Sequence, residues 1–212
     1  MVRRKIEGVM AKMIKIGLTG GICSGKSTIS KLLKDAGFSI IDADNISREV
    51  LVKYPEILVK VKAEFGSNFF DWRGEFRRRE FGNHIFRFQG ERVKYENIIM
   101  PYIKRKIEER FNNLEKQGKR LAILDGATII ENKMDKEMDM IILVWLSQAA
   151  QIQRMRFRDN LTQSEAINRI NSQLSLDRKK EYANFIIDNS GNLNKTKEQV
   201  DDLIELLKLY EK

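Results

Sequence analysis

The chain has 212 residues, 42% of them hydrophobic and 33% charged, with a formal net charge of +9, one cysteine and one histidine. Such a length builds a globular core without disulfides or a structural metal, one cysteine excludes an internal disulfide, and one Cys with one His cannot supply zinc's usual ligand set. No apolar run approaches the roughly 20 residues that cross a bilayer. A cytoplasmic protein with no membrane role is therefore expected, and the basic balance favours anionic partners without choosing among them.

Residues 1–12 are basic and lack the apolar stretch of a secretory signal. They are expected to be an N-terminal extension, because Met13 directly precedes the first strand pattern, Ile14-Lys15-Ile16-Gly17-Leu18. Next comes Gly20-Gly21-Ile22-Cys23-Ser24-Gly25-Lys26-Ser27-Thr28, which matches the phosphate-loop pattern G-x-x-x-x-G-K-[ST] without a gap. Its glycines permit a tight turn and bring backbone N–H groups close to phosphate oxygens, and the following helix presents its positive end to the same anion. Gly21, Ile22, Cys23, Ser24, Gly25, Lys26, Ser27 and Thr28 are the expected contacts to a nucleoside triphosphate. Lys26 reaches the β- and γ-phosphates, and the Ser27 hydroxyl is the expected ligand of Mg²⁺. The helix runs from Lys26 to Asp35 in the pattern and stops at Gly37.

A second strand, Phe38-Ser39-Ile40-Ile41-Asp42, ends in Asp42-Ala43-Asp44. Ligands of open parallel sheets sit at the carboxyl ends of strands, and phosphorylating a hydroxyl needs a carboxylate that accepts its proton. Asp42 and Asp44 both qualify, and spacing does not separate them. Residues 54–118 are charged and helical in pattern, too long for a simple crossover, and read as a helical insertion beside the sheet. The insertion carries the run Arg77-Arg78-Arg79, suited to an acceptor with phosphates of its own, and His84, which has no assigned role. Leu121-Ala122-Ile123-Leu124-Asp125 is a third strand, whose Asp125 is placed to support Mg²⁺ through water. The fourth strand is Met140-Ile141-Ile142-Leu143-Val144-Trp145-Leu146. Arg154, Arg156 and Arg158 follow, just before the capping box Thr162-x-x-Glu165 that starts a new helix. An arginine there, on a mobile lid, is placed to stabilise charge on a transferring phosphoryl group. Phe185-Ile186-Ile187-Asp188 is the fifth strand. Strands alternating with helices predict a P-loop-type three-layer α/β/α fold with a five-stranded parallel sheet.

Taken together, Ile16 to Thr28 and Ile41-Asp42-Ala43-Asp44 resemble the dephospho-CoA kinase family. Phe65-Gly66 with Asp71, Gly74 and Phe76 is similar to that family's turn before its CoA-domain helices. Gln151-Ile152-Gln153-Arg154 to Arg158-Asp159 resembles its lid, and Arg169-Ile170-Asn171-Ser172-Gln173 with the stretch from Ala183 to Gly191 its C-terminal signature. The likeness covers residues 14–207. It implies ATP-dependent phosphorylation of the 3′-hydroxyl of dephospho-CoA, with ATP and Mg²⁺ and no nucleic-acid partner, in a monomer or small homo-oligomer. It implies a nucleotide-binding core (13–53 and 119–212) with a lid at about 150–180 and a helical acceptor domain at 54–118. It favours Asp44 as catalytic base, with Lys26 and the lid residue Arg154 acting on the phosphates. Asn189, after Asp188, would lie near the adenine of ATP, and Asp42, Arg78 and Asp125 would bind substrate. Three stretches depart from the family pattern. Met100 precedes Pro101 where a His-Pro pair is usual, Gly126-Ala127-Thr128-Ile129 follows Asp125 where x-Pro-Leu-Leu is usual, and Cys23 replaces a loop glycine. Two further readings stand on the residues alone: another nucleotide or small-molecule kinase on this scaffold, or a non-enzymatic nucleotide-binding module.

Overall fold

The computed structural model describes residues 12–211; residues 1–11, nearly all of the expected N-terminal extension, lie outside the described residues, as does Lys212. Five strands, β1 (Ile14–Gly20), β2 (Ser39–Asp42), β3 (Leu121–Asp125), β4 (Met140–Trp145) and β5 (Phe185–Asp188), form one sheet in the order β2-β3-β1-β4-β5. Every neighbouring pair is parallel. The helices are α1 (Lys26–Asp35), α2 (Ala43–Lys53), α3 (Glu56–Phe65), α4 (Arg78–Arg87), α5 (Gln89–Lys116), α6 (Gln148–Asp159), α7 (Gln163–Asn171), α8 (Leu176–Lys179) and α9 (Leu193–Glu211). β2 begins one residue later than its apolar pattern. The Phe38 N–H still bonds back to the Leu33 carbonyl of α1, at 3.2 Å, and so cannot join a ladder.

The alternation within each strand builds three layers, because successive side chains leave opposite faces of a sheet. Ile16, Leu18, Leu121, Ile123, Ile142 and Val144 pack with Ile29 and Leu33 of α1 and with Val200, Leu203 and Leu207 of α9. Their neighbours Ile41, Ala122, Leu124 and Ile141 pack with Ile46 and Val50 of α2 and with Ile103, Ile107 and Phe111 of α5. A sheet covered on both faces needs apolar residues at nearly every position, and all five residues of β3 are buried.

The insertion is helical, as its pattern predicts, and α5 ties it to the sheet. The apolar cluster that includes Phe70, Phe81 and Ile99 continues without a break to Phe111 and Ala122. α6 and α7 meet at Asn160, which takes left-handed φ 52°. The capping box predicted at Thr162 is present in both directions: its side chain accepts the Glu165 N–H, and the Glu165 carboxylate accepts the Thr162 N–H. No helix among the described residues is long and apolar enough to cross a membrane.

Candidate active site

The phosphate loop leaves the buried end of β1 and enters α1 through Gly25, the N-cap, at φ 94°. That left-handed conformation disfavours any residue with a Cβ. Gly20 is required for another reason: a Cβ there would lie 2.6 Å from Ser24 Oγ and 3.1 Å from the Val144 carbonyl. Cys23 occupies the left-handed region without being glycine, at φ 59°. Its thiol is half-buried, and desolvation raises its pKa against the opposing charge of Arg158.

Four side chains from distant elements hold the loop's peptides. Gln151 of α6 donates to the Ile22 carbonyl at 2.8 Å, and the Ile22 N–H donates to Gln173 Oε1 at 3.1 Å. Arg154 donates to the Cys23 carbonyl at 3.5 Å and to the Asn189 carbonyl at 2.8 Å. The Asn189 amide donates to the Ser24 carbonyl at 2.7 Å. These bonds fix the peptide planes at 22–24, whose N–H groups are the anion-binding parts of such a loop. Thus Arg154 and Asn189, 35 residues apart in the chain, come together beside the phosphate loop.

The Lys26 ammonium is ion-paired with the Asp125 carboxylate, and both side chains are largely buried. This contact follows from the parallel register, in which Asp125 is the partner of both Leu18 and Asp42. Asp42 and Asp44, inseparable by spacing, have different surroundings. Asp42 Oδ1 accepts the Asn45 N–H at 2.8 Å and caps α2. Asp44 lies in the first turn of α2, exposed to the cleft. Its backbone carbonyl accepts from Ser47 Oγ at 2.8 Å, and Ser47 Oγ accepts from Arg78 at 3.4 Å, so Arg78 of the insertion is tied to the turn that carries Asp44.

Lys26, Asp44, Ser47, Arg78 and Arg154 border one cleft of about 830 Å³. Its lining includes Gly21, Ile22, Cys23, Gly25, Lys26 and Ser27 of the loop with Asp44, and an apolar wall of Phe76, Phe81, Ile99 and Met100 from the insertion. Tyr95 lines it too, and burial pushes its phenol up to about 12, so it stays protonated. Among the described residues no group of three or more His, Cys, Asp or Glu could hold a metal. What the loop's end offers is the Ser27 hydroxyl with the Asp44 and Asp125 carboxylates. That is a sparse set of hard oxygen donors, the kind that suits Mg²⁺ shared with substrate phosphates.

A family model, Dephospho-CoA kinase, matches residues 14–195. The chain belongs to the dephospho-CoA kinase family. A dephospho-CoA kinase from Clostridium perfringens is 67% identical over 199 residues, covering 94% of this chain and 100% of the relative. One from Clostridium tetani is 51% identical over 197 residues, covering 92% and 87%. Among solved structures, one from Thermus thermophilus matches with TM-score 0.77 at 24% identity, covering 92% of this chain and 98% of its own. The dephospho-CoA kinase from Campylobacter jejuni matches with TM-score 0.67 at 24% identity, covering 91% and 96%. These two likenesses support the three-layer fold.

Of the positions that depart from the family pattern on the acceptor side, Met100, Ala127 and Thr128 line the cleft. His84 sits between Phe69 and Phe88, ring centroids 5.0 Å away on each side, as part of the insertion's aromatic packing. Sequence reasoning assigned no role to Gln151, Gln173, Glu131 or Lys179. The signal available for Gln151 was its place in the lid-like stretch, at a helix position that turns out to be buried, and for Gln173 its place in the C-terminal signature; Glu131 and Lys179 carry no local pattern.

Proposed function

We infer that this chain transfers the γ-phosphoryl group of ATP to the 3′-hydroxyl of dephospho-CoA, the last step of coenzyme A synthesis. The observation that carries this reading is the single cleft joining the phosphate loop, Asp44 and Arg78 to an apolar wall. The loop's N–H groups and Lys26 bind the triphosphate, and Asn189 lies toward the adenine. Asp44 accepts the proton of the attacking hydroxyl as its oxygen bonds to the γ-phosphorus and the bond to the β–γ bridging oxygen breaks. Asp42 keeps Asp44 in place by capping the helix that bears it. Arg78 and Asp125 contribute to the substrate sites, Asp125 through its hold on Lys26. Arg154, from the lid helix, adds positive charge beside the phosphates, which stabilises charge spread over the transferring group. When bound, Mg²⁺ supplies charge neutralisation at the phosphate oxygens, with Ser27 as its protein ligand.

The division of labour follows the chain: a core at 13–53 and 119–212, a lid at about 150–180 and an acceptor domain at 54–118. The apolar wall takes the uncharged portion of the acceptor. The positive balance serves anionic small molecules rather than nucleic acid, and the expected setting is the cytoplasm.

ADP release, measured with ATP, Mg²⁺ and dephospho-CoA, tests the reading. Wild type turns over only when dephospho-CoA is present, whereas Asp44→Asn loses about 10²–10⁴-fold in kcat, the usual worth of a positioned general base, while still binding ATP. Absence of acceptor-dependent turnover in wild type removes the function. A fully active Asp44→Asn removes only the assignment of the base.

A further inference from the structure

Lys179 ends α8, a helix of four residues, and its side chain is completely buried. A buried ammonium is costly unless paired and hydrogen-bonded, and the transfer chemistry above does not use this one. Its Nζ lies 2.9 Å from Glu131 Oε1, 2.5 Å from the Ala127 carbonyl and 3.4 Å from the Gly20 carbonyl. Both carbonyls belong to the machinery of the cleft. Gly20 opens the phosphate loop, and Ala127 lies two residues beyond Asp125, the partner of Lys26. The Thr19 hydroxyl donates to the same Ala127 carbonyl at 3.1 Å, so two side chains draw the turn after β3 against the end of β1.

The contacts continue toward the lid. Glu131 Oε1 also accepts the Leu174 N–H at 3.0 Å, and the preceding residue, Gln173, is the acceptor for the Ile22 N–H. The last part of the lid segment is therefore strapped to the phosphate loop at both Gly20 and Ile22, and Lys179 with Glu131 forms one strap. Burial lowers the Lys179 pKa, Glu131 opposes that, and the charge of Lys26 lowers it further.

We propose that Lys179 is a positioning residue for nucleotide binding: it sets the Gly20 peptide, and with it the phosphate loop, against the turn that carries Asp125. The proposal rests on the loop's holding a nucleoside triphosphate and not on the identity of the acceptor. Its primary readout, ADP affinity, is accordingly independent of acceptor turnover.

Lys179→Met keeps an unbranched stem of similar length and removes the ammonium. Lys179→Met/Glu131→Gln removes the partner's charge as well, so that no unpaired carboxylate stays behind. ADP affinity is measured by titration calorimetry, alongside thermal unfolding and KM for dephospho-CoA. Small misplacements of a binding loop cost up to about a hundredfold, so we expect ADP affinity to fall about tenfold or more in either folded variant, with KM for dephospho-CoA within about twofold of wild type. ADP affinity within about twofold of wild type in a folded variant overturns the proposal, as does an equal loss for both ligands, the signature of a merely structural role. Should neither Met variant fold, Glu131→Gln decides: a selective loss of ADP affinity upholds the strap, and unchanged affinity overturns it.

Discussion

Replacing Gly25 by alanine perturbs the loop in a way that can be worked from the structure. The N-cap of α1 sits at φ 94°, where a Cβ costs about 1–2 kcal/mol. The new methyl would also overlap Asn189 Nδ2. Asn189 cannot swing aside freely, because its Nδ2 donates to the Ser24 carbonyl at 2.7 Å and its Oδ1 accepts from Thr196 Oγ1 at 2.9 Å. Losing the first of those bonds costs about 0.5–1.5 kcal/mol net. The more restricted unfolded chain returns about 0.4–1 kcal/mol. The balance is a loss of about 0.5–3 kcal/mol, which for a chain of this size lowers Tm by about 1–12 °C. Thermal unfolding of Gly25→Ala, Asn189→Ala and the double variant reads it directly. Since Asn189→Ala removes both the clash and the bond, the double variant should be more stable than the sum of the single losses implies, by about 1 kcal/mol. Losses that add within about 0.5 kcal/mol, or a Gly25→Ala protein as stable as wild type, would refute the steric argument.

Two further outcomes follow from the surroundings of single carboxylates. Asp42→Ala removes the cap of α2 and should lower stability by about 1 kcal/mol, whereas Asp42→Asn, which still accepts from the Asn45 N–H, should not; urea unfolding of the pair checks this. Glu96 on α5 has its pKa raised by burial and by Glu131, with Arg92 opposing. A carboxyl easier to protonate when folded favours the fold below its unfolded value, near 4.5, and that contribution is lost as pH rises through the higher folded value. The Tm of Glu96→Gln relative to wild type should therefore climb from about pH 4.5 toward neutrality, and a flat difference across that range would contradict the assignment.

Much of this molecule is legible from short stretches of chain. The five apolar runs, the phosphate loop and the capping box at Thr162 are local patterns, because strand alternation, loop conformation and helix capping are set by residues a few positions apart. The predicted strands and the helical insertion appear accordingly, and Arg154 and Asn189 meet at the loop. What local pattern could not supply is pairing across the chain. Nothing in the order of the strands says that β3 lies between β1 and β2, yet that insertion is what brings Asp125 to Lys26, 99 residues earlier in the chain. Asp42 and Asp44 look alike as a strand-end pair and differ only once α2 folds back and takes the first as its cap. Lys179 and Glu131 look like ordinary members of a charged chain. The phosphate-binding loop and the layered fold follow from local periodicity and turn chemistry, which short stretches of chain carry. Which charges are buried, which carboxylate faces the cleft and which side chains hold the loop emerge with the folded chain, because burial and pairing depend on contacts between residues far apart in sequence.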